Sequence, residues 1–573
     1  MLSSPVRGSQ LIFRKHTGLQ IKSLQSIIID SKLPMLKKII RNSLGILSRL
    51  PVDGRVEPLL ALLNKLVKNN VGSYSTNSMY GRAIAIEGLE DPIYYGLLAS
   101  IAIDLRNRTG CHPWLLQVRS INGAVGVGLR ARLKRSWLVT RLSNAQWTRA
   151  HKNLIQGVAY QSCSWQSPLS WARRLVASYE MHRQIQRDGN LAKLQINGVL
   201  VGDLVIDSYL RFKPAATINV ADPFLRKILG QVLRDLELSQ AWFEKEKPLI
   251  YLSSYTTYIE HGIPVRVALA LDVPVRVFGS LMVFGKRLSI DEPFHTTSGS
   301  CYQQIAGRLS ESSEELSLAK KMLDARLSGD IDQATYYMKQ SAYAVRREDI
   351  PYDVSGSAVV FLHDFFDSPH VYADMVFDDF WQWVCCTIET FQEQNIKFFV
   401  KPHPNQVDCS VNVVLALQDR YPDLQILPTQ ITNRQLVNAG IKAGITVYGT
   451  VAHELAYMGV PVICCARHPH HTFDFCRTAK NIKTYQAMLK MPFESSLNLD
   501  EMRHQALQFY YAHNMHGSAD EILLCQKFNE YFSVGADDNA VPTKLSTSLC
   551  ALREGLAWTN FIESLVDDME AVA

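Results

Sequence analysis

The sequence predicts an α/β protein of two doubly wound domains facing each other across a cleft, with a helical extension in front. Three observations predict it. The 573 residues exceed what one core organises, and a prior of roughly 150 residues per domain gives two to four domains. From about residue 80 to 345, short apolar runs alternate with helical patterns, as strand–helix units around a mainly parallel sheet do. At Ser357 that alternation restarts sharply, which places a domain boundary just before it.

Composition supports a folded chain. Hydrophobic residues make up 47% and charged residues 20%, close to the average of soluble globular proteins. No segment reaches 18 uninterrupted apolar residues, so no transmembrane helix is expected. The opening residues lack the long apolar run of a secretory signal, and the expectation is a cytoplasmic protein. The eleven cysteines show no CxxC pair, and reduced thiols are expected; the doublets Cys385–Cys386 and Cys464–Cys465 sit in apolar runs.

The net charge of +6 is unevenly spread. Residues 1–70 hold 12 Lys/Arg against 3 Asp/Glu, a local charge of +9, so the remainder carries −3. Leu33 to Leu50 places Lys37, Lys38, Arg41 and Arg49 among apolar residues at near-helical spacing. Such a helix either lies peripherally on an anionic membrane surface or packs on the body with a solvated basic face. Gly128 to Gly157 adds seven Lys/Arg and no acid. No zinc-finger spacing, RNA-recognition signature or repeat accompanies this charge, so nucleic acid is not expected as a partner.

Element by element, residues 1–75 read as a basic helical extension ending in a turn-rich linker. Residues 80–345 form the first doubly wound domain. In it HPWLLQVRS, NGVLVGDLVID, PLIYLSS and VPVRVFG read as strands, and Asp222–Phe243 and Thr256–Leu271 as helices; 309–349 is a charged helical connector. Residues 355–535 form the second domain. Its strands are SAVVFLHDF, IKFFVKPHP, LQILP, GITVYG and VPVICCA, and its helices are Asp378–Gln394, Asn412–Tyr421, Asn433–Ala439 and Val451–Met458. Residues 536–573 are a tail with a helix.

In open α/β sheets ligands collect at the carboxyl ends of strands, and several ends here carry chemistry. Lys401-Pro402-His403-Pro404-Asn405 is a stiff electropositive loop, suited to a phosphate or to a leaving group's charge, or else a structural turn. At Gly449-Thr450 a buried strand enters a helix whose first N–H groups, with the Thr450 hydroxyl, can hold an anion. His453 and Glu454 follow on its first turn; Glu454 either accepts ribose hydroxyls or complements the helix dipole. FLHDFFDSPH offers His363, Asp364, Asp367 and His370. Arg467, His468, His470 and His471 follow another strand, where substrate contact is expected rather than a metal. In the first domain, Asp203, Asp207, Glu260 and His261 are the candidates for a general base, and the sequence does not rank them.

Five segments together resemble the surface-carbohydrate and capsule-polysaccharide glycosyltransferases of bacteria. They are VGDLVIDSYLRF (201–212), YTTYIEHGIPVRVAL (255–269), VFLHDFFDSPH (360–370), KPHPN (401–405) and YGTVAHELAYMGVPVI (448–463). The resemblance covers roughly residues 195–490 and implies the GT-B fold, two Rossmann-like domains with a nucleotide-sugar donor on the second. KPHP and GT…HE…GVPV also resemble the HP and Ser/Ser-Thr motifs of CMP-sugar transferases, including those for Kdo and sialic acid. By that resemblance His403 and Thr450 contact the donor phosphate. Gly449-Thr450 stands where many relatives have Ser-Ser or Ser-Thr, so CMP- and UDP-linked donors both stay open. With Lys401 and His403 as cations, neither metal nor cofactor is expected. The expected acceptor is a growing surface glycan or a lipid-linked chain. Two other readings keep the fold: a non-hydrolysing nucleotide-sugar epimerase or polyol-phosphate transferase, and a non-catalytic glycan-assembly scaffold.

Overall fold

The computed structural model describes residues 56–573, apart from 69–78, 90, 117–156, 160–167, 214, 281, 311–312, 333–340, 342, 344–347, 405, 407 and 538–540. The basic Leu33–Leu50 segment and nearly all of 128–157 lie outside the described residues.

Two sheets organise the chain. The first contains β1 (Ala83–Glu87), β2 (His112–Leu116), β3 (Gly157–Ala159), β6 (Tyr251–Ser253), β7 (Val275–Val277) and β8 (Lys286–Arg287), in the order β3-β2-β1-β6-β7-β8. All neighbours are parallel except β8 on β7. The second contains β9 (Ala358–Phe361), β10 (Phe398–Lys401), β11 (Ala443–Ile445), β12 (Val462–Cys464) and β13 (Cys476–Thr478), all parallel, in the order β10-β9-β11-β12-β13. Counted within each lobe, these orders are 3-2-1-4-5-6 and 2-1-3-4-5, the two common doubly wound arrangements. In each, the order reverses beside the first strand. The ligand crevice therefore falls between β1 and β6 in one lobe and between β9 and β11 in the other.

Strand side chains alternate between two cores, as the two-residue period requires. Ile84 and Ile86 enter one cluster while Ala85 enters another; Ala358 and Val360 face one side while Val359 and Phe361 face the other. Local signals set the helix starts. Asp91 accepts from the N–H groups of Ile93 and Tyr94 ahead of Pro92–Thr109, which ends at Gly110 with φ 73°. Thr432 with Gln435, and Asn498 with Glu501, close reciprocal capping boxes. The helices Ala519–Ala536, Pro542–Arg553 and Leu556–Glu570 return to the first lobe. Their Phe528, Tyr531, Leu549, Trp558 and Ile562 share a core with Ile84 and Leu97.

Two segments depart from expectation. NGVLVGDLVID is not a strand: a two-stranded hairpin, β4 (Gln195–Ile196) and β5 (Val199–Leu200), precedes the helix Gly202–Phe212. Ten of that helix's eleven residues are buried, Asp203 and Asp207 among them on Arg266 and His370, so its polar side chains meet partners rather than water and the short apolar runs around them imitate a strand. Gly202 starts it because a Cβ there would lie 2.0 Å from the Leu191 carbonyl oxygen. LQILP contributes only a bridge, Val400 with Ile426, and the fifth strand of the second sheet is β13.

Candidate functional site

In the second lobe, a cavity of about 600 Å³ opens at the β9/β11 crevice, well sized for a small ligand. Its wall includes His363, Asp364, Lys401, His403, Gly449, Thr450, Glu454 and His468, so four separate sequence segments converge there. Asn405 lies outside the described residues.

Lys401 ends β10 and is 5% exposed. Among the described residues its ammonium makes no hydrogen bond or ion pair. Burial pulls its ammonium down to about 8, with the charge of Glu454 acting the other way. His403 is also held below the ordinary histidine value by burial, and Lys401 adds to that effect against Asp364. His363 fastens the crevice: Thr446 Oγ1 lies 3.0 Å from its Nε2, the Val447 N–H donates to the same nitrogen at 3.3 Å, and the ring stacks on Phe380. Burial lowers His363 to about 3, so it is neutral and its proton sits on Nδ1. Thr446 Oγ1 in turn accepts from the Gly449 N–H at 3.3 Å, which fixes the turn into the Val451–Tyr457 helix. Asp364 accepts from the Phe366 N–H and the Ser410 hydroxyl.

Three expectations are corrected. Thr450 does not cap the helix: its backbone is helical (φ −58°, ψ −21°) and its side chain makes no capping bond. That helix has only seven residues, so its dipole contributes little, and Thr450 itself lines the cavity. His453 does not reach the cavity; it is 0% exposed, packs on Phe509 and Tyr510, and neither ring nitrogen has a partner among the described residues. Glu454 lines the cavity but is not open to ribose. Arg326 donates to Oε1 at 2.7 and 3.0 Å, while Tyr343 and Asn433 donate to Oε2. Arg326 also grips Asp332, making a buried network that ties the connector to the second lobe. Of the His-rich run, His468 lines the cavity and His470 turns into the core.

The first lobe carries its own cluster at the β1/β6 crevice, built on a residue that the motifs did not mark. Glu87, the last residue of β1, is 5% exposed. Its Oε1 lies 2.6 Å from His261 Nδ1, and its Oε2 accepts from the Ser254 N–H, the Ser254 hydroxyl and the Ser253 hydroxyl at 2.7, 2.7 and 3.1 Å. Burial alone would lower the imidazole, but the charge and hydrogen bond of Glu87 outweigh it and raise His261 above its ordinary value. Glu87 moves the opposite way and is held ionised despite its burial. With Nδ1 taken, Nε2 is the nitrogen left for another proton, and 15% of the side chain stays exposed.

The other base candidates are committed elsewhere. Asp203 sits on a helix rather than after a strand, and Arg266 holds both its oxygens at 2.6 and 2.5 Å, lowering its proton affinity. Asp207 faces the second lobe, with Oδ1 2.7 Å from His370 Nδ1. Glu260 is raised by burial and its Oε2 is buried without a partner among the described residues. The Asp207–His370 contact, with Arg211 donating to the Phe366 carbonyl at 3.0 Å and Thr217 donating to Asp379 at 2.7 Å, joins the lobes beside the cavity. Tyr255 and Tyr258 lie at this junction: Tyr255 is within electrostatic reach of Glu87 and Asp367, and Tyr258 holds φ +60°, a strained backbone for an aromatic residue.

Two doubly wound lobes joined beside crevices loaded at both topological switch points make the GT-B layout. No protein-family model matches the sequence, and no curated protein matches it. Solved structures match at a distance. Thermosulfurimonas dismutans KpsC, titled a beta Kdo 2,4 transferase, is 13% identical over 47% of this chain and 80% of its own, with a TM-score of 0.29. Acinetobacter baumannii MurG is 11% identical over 79% and 99%, with a TM-score of 0.24. Methanocaldococcus jannaschii UDP-GlcNAc 2-epimerase, solved with UDP-GlcNAc and UDP, is 11% identical over 74% and 98%, with a TM-score of 0.24. At that distance the functional reading rests on this chain's own residues.

Proposed function

We propose that the chain is a glycosyltransferase that moves a sugar from a CMP- or UDP-linked donor, held on the second lobe, to a hydroxyl of a surface glycan or lipid-linked acceptor. One observation carries the reading: a buried ammonium, Lys401, without an ion-pair or hydrogen-bond partner among the described residues, opens on a ligand-sized cavity beside His403 and Thr450. An unpaired buried charge is costly, and a donor phosphate beside it supplies the missing anion and stabilises the charged form.

The chemistry divides between the lobes. The acceptor hydroxyl gives its proton to His261 Nε2 while its oxygen bonds the anomeric carbon. The bond from that carbon to the donor phosphate oxygen breaks, and the oxygen leaves with the electron pair. Lys401 and the Thr450 hydroxyl meet its charge, so the cation at this step is the protein's own. Glu87 fixes the tautomer with the proton on Nδ1 and stabilises the imidazolium that forms.

Calorimetry against CMP, CDP, UDP and GDP tests the donor half. One of them binds wild type, and Lys401→Met binds it at least tenfold more weakly; equal affinity in the variant sinks the phosphate assignment. Incubating the cognate nucleotide sugar without acceptor tests the reaction class. An isomeric nucleotide sugar among the products would replace transfer by epimerisation.

A further inference from the structure

Behind the cavity wall lies a second cluster that the transfer chemistry does not use. Cys464 ends β12, Cys476 begins β13, and His470 sits in the short 3₁₀ turn Pro469–Thr472 between them. Val462 pairs with Cys476 across the two parallel strands, so Cys464 and Cys476 point to the same face two residues out of register. Cys464 and His470 are 0% exposed and Cys476 is 4% exposed. Their three donor atoms all lie within 4.8 Å of one another, the one Cys/His/Asp/Glu group of metal-ligating geometry among the described residues.

His470 is poorly satisfied as a core residue. Its Nδ1 has no partner among the described residues; the Cys464 sulfur lies 3.3 Å from its Nε2, and the Cys476 thiol is also within hydrogen-bonding reach of the ring. A thiol is a weak hydrogen-bonding partner, and a buried polar atom left unpaired is destabilising.

We propose that Cys464, His470 and Cys476 bind one divalent ion of the zinc class. Two thiolates and an imidazole are a borderline-soft donor set that selects such an ion over magnesium or calcium. Two thiolates also cancel its charge, so the assembled group is neutral and suits a dry core. Zinc–sulfur bonds of about 2.3 Å and zinc–nitrogen bonds of about 2.0–2.1 Å place ligand atoms about 3.5–4 Å apart, so assembly draws the three together by roughly 1 Å or less. The bound ion braces the cavity wall. The His470 N–H donates to His468 Nδ1 at 3.3 Å and the two rings lie 4.0 Å apart, while His468 lines the donor cavity. The ion takes no part in the transfer step.

The test uses the purified full-length chain. Elemental analysis should find one zinc per chain. After chelator treatment under reducing conditions, titration with Co²⁺ should give thiolate-to-cobalt charge-transfer absorption that saturates at one equivalent. Cys464→Ser and Cys476→Ser should each abolish that absorption, and Cys386→Ser should keep it; circular dichroism confirms that each variant is folded. A metal-free protein whose reduced wild-type form gives no cobalt spectrum overturns the proposal without reference to any variant. A Cys464–Cys476 disulfide in cytosol-purified chain, detected by mass spectrometry, overturns it equally.

Discussion

The two switch points treat charge in opposite ways. At β1/β6, Glu87 and His261 satisfy one another, and Ser253 and Ser254 complete the carboxylate's hydrogen bonds. At β9/β11, Lys401 is buried with no ion-pair partner among the described residues, beside histidines kept neutral by burial. A cluster complete without ligand is prepared to move a proton. One left short of an anion is prepared to receive it. The division of labour between the lobes follows from this difference.

The largest effects should fall on the first cluster. His261→Ala should lower kcat by about 10²–10⁴-fold while leaving nucleotide affinity, read by calorimetry, unchanged; a parallel loss of binding would merge the two sites and break the comparison. Glu87→Gln should lose nearly as much, for a specific reason. The donors from Ser253 and Ser254 hold the amide oxygen, so the amide NH₂ faces His261 Nδ1 and drives the ring proton to Nε2, where no base remains. Partial recovery of kcat in Glu87→Asp separates this tautomer effect from simple loss of packing.

Asp203→Asn sharpens the contrast between a buried ion pair and a working base. It leaves Arg266 uncompensated and should lower stability in denaturant melts by about 3–5 kcal/mol, with kcat per folded molecule retained. Lys401→Met should do the reverse. It weakens nucleotide binding, yet removing a charge whose folded pKa lies near 8, against an ordinary value of 10.5, should raise the melting temperature of the ligand-free protein. The stabilisation is roughly 3 kcal/mol at most near neutrality and fades as pH rises through about 8 towards 10.5, because there the folded ammonium has already lost its proton.

The smallest effect is in the pH profile. Base catalysis needs neutral His261, so kcat/KM should rise through a value above that of an ordinary histidine. It should fall again near 8 as free Lys401 deprotonates. In Lys401→Met the alkaline limb should vanish and the acid limb stay.

Much of the second lobe was legible because its strands are short, fully buried β-branched or aromatic runs that end in polar loops. Lys401, His403 and Thr450 could be placed at the cavity by counting strand ends. The first lobe hid its cluster. Glu87 is one acid in IEGLEDP, and its meaning appears only when strand order sets β1 beside β6. The Gly202–Phe212 helix was misleading for a related reason: its Asp203 and Asp207 are spent on buried partners, Arg266 and His370, and the apolar runs around them imitate a strand. His453 and Glu454, adjacent on a first turn, point in different directions, one into the core and one into an ion-pair network, and a first turn alone does not tell them apart.

The return of residues 519–570 to the first lobe has a consequence for biogenesis. Ile84 and Leu97 cannot finish their packing until Phe528, Trp558 and Ile562 have left the ribosome. The usual order, in which the amino-terminal unit completes itself during synthesis, is therefore reversed. The second sheet, whose strands all lie between residues 358 and 478, has its whole complement available earlier. The first lobe closes last, around a partner already built.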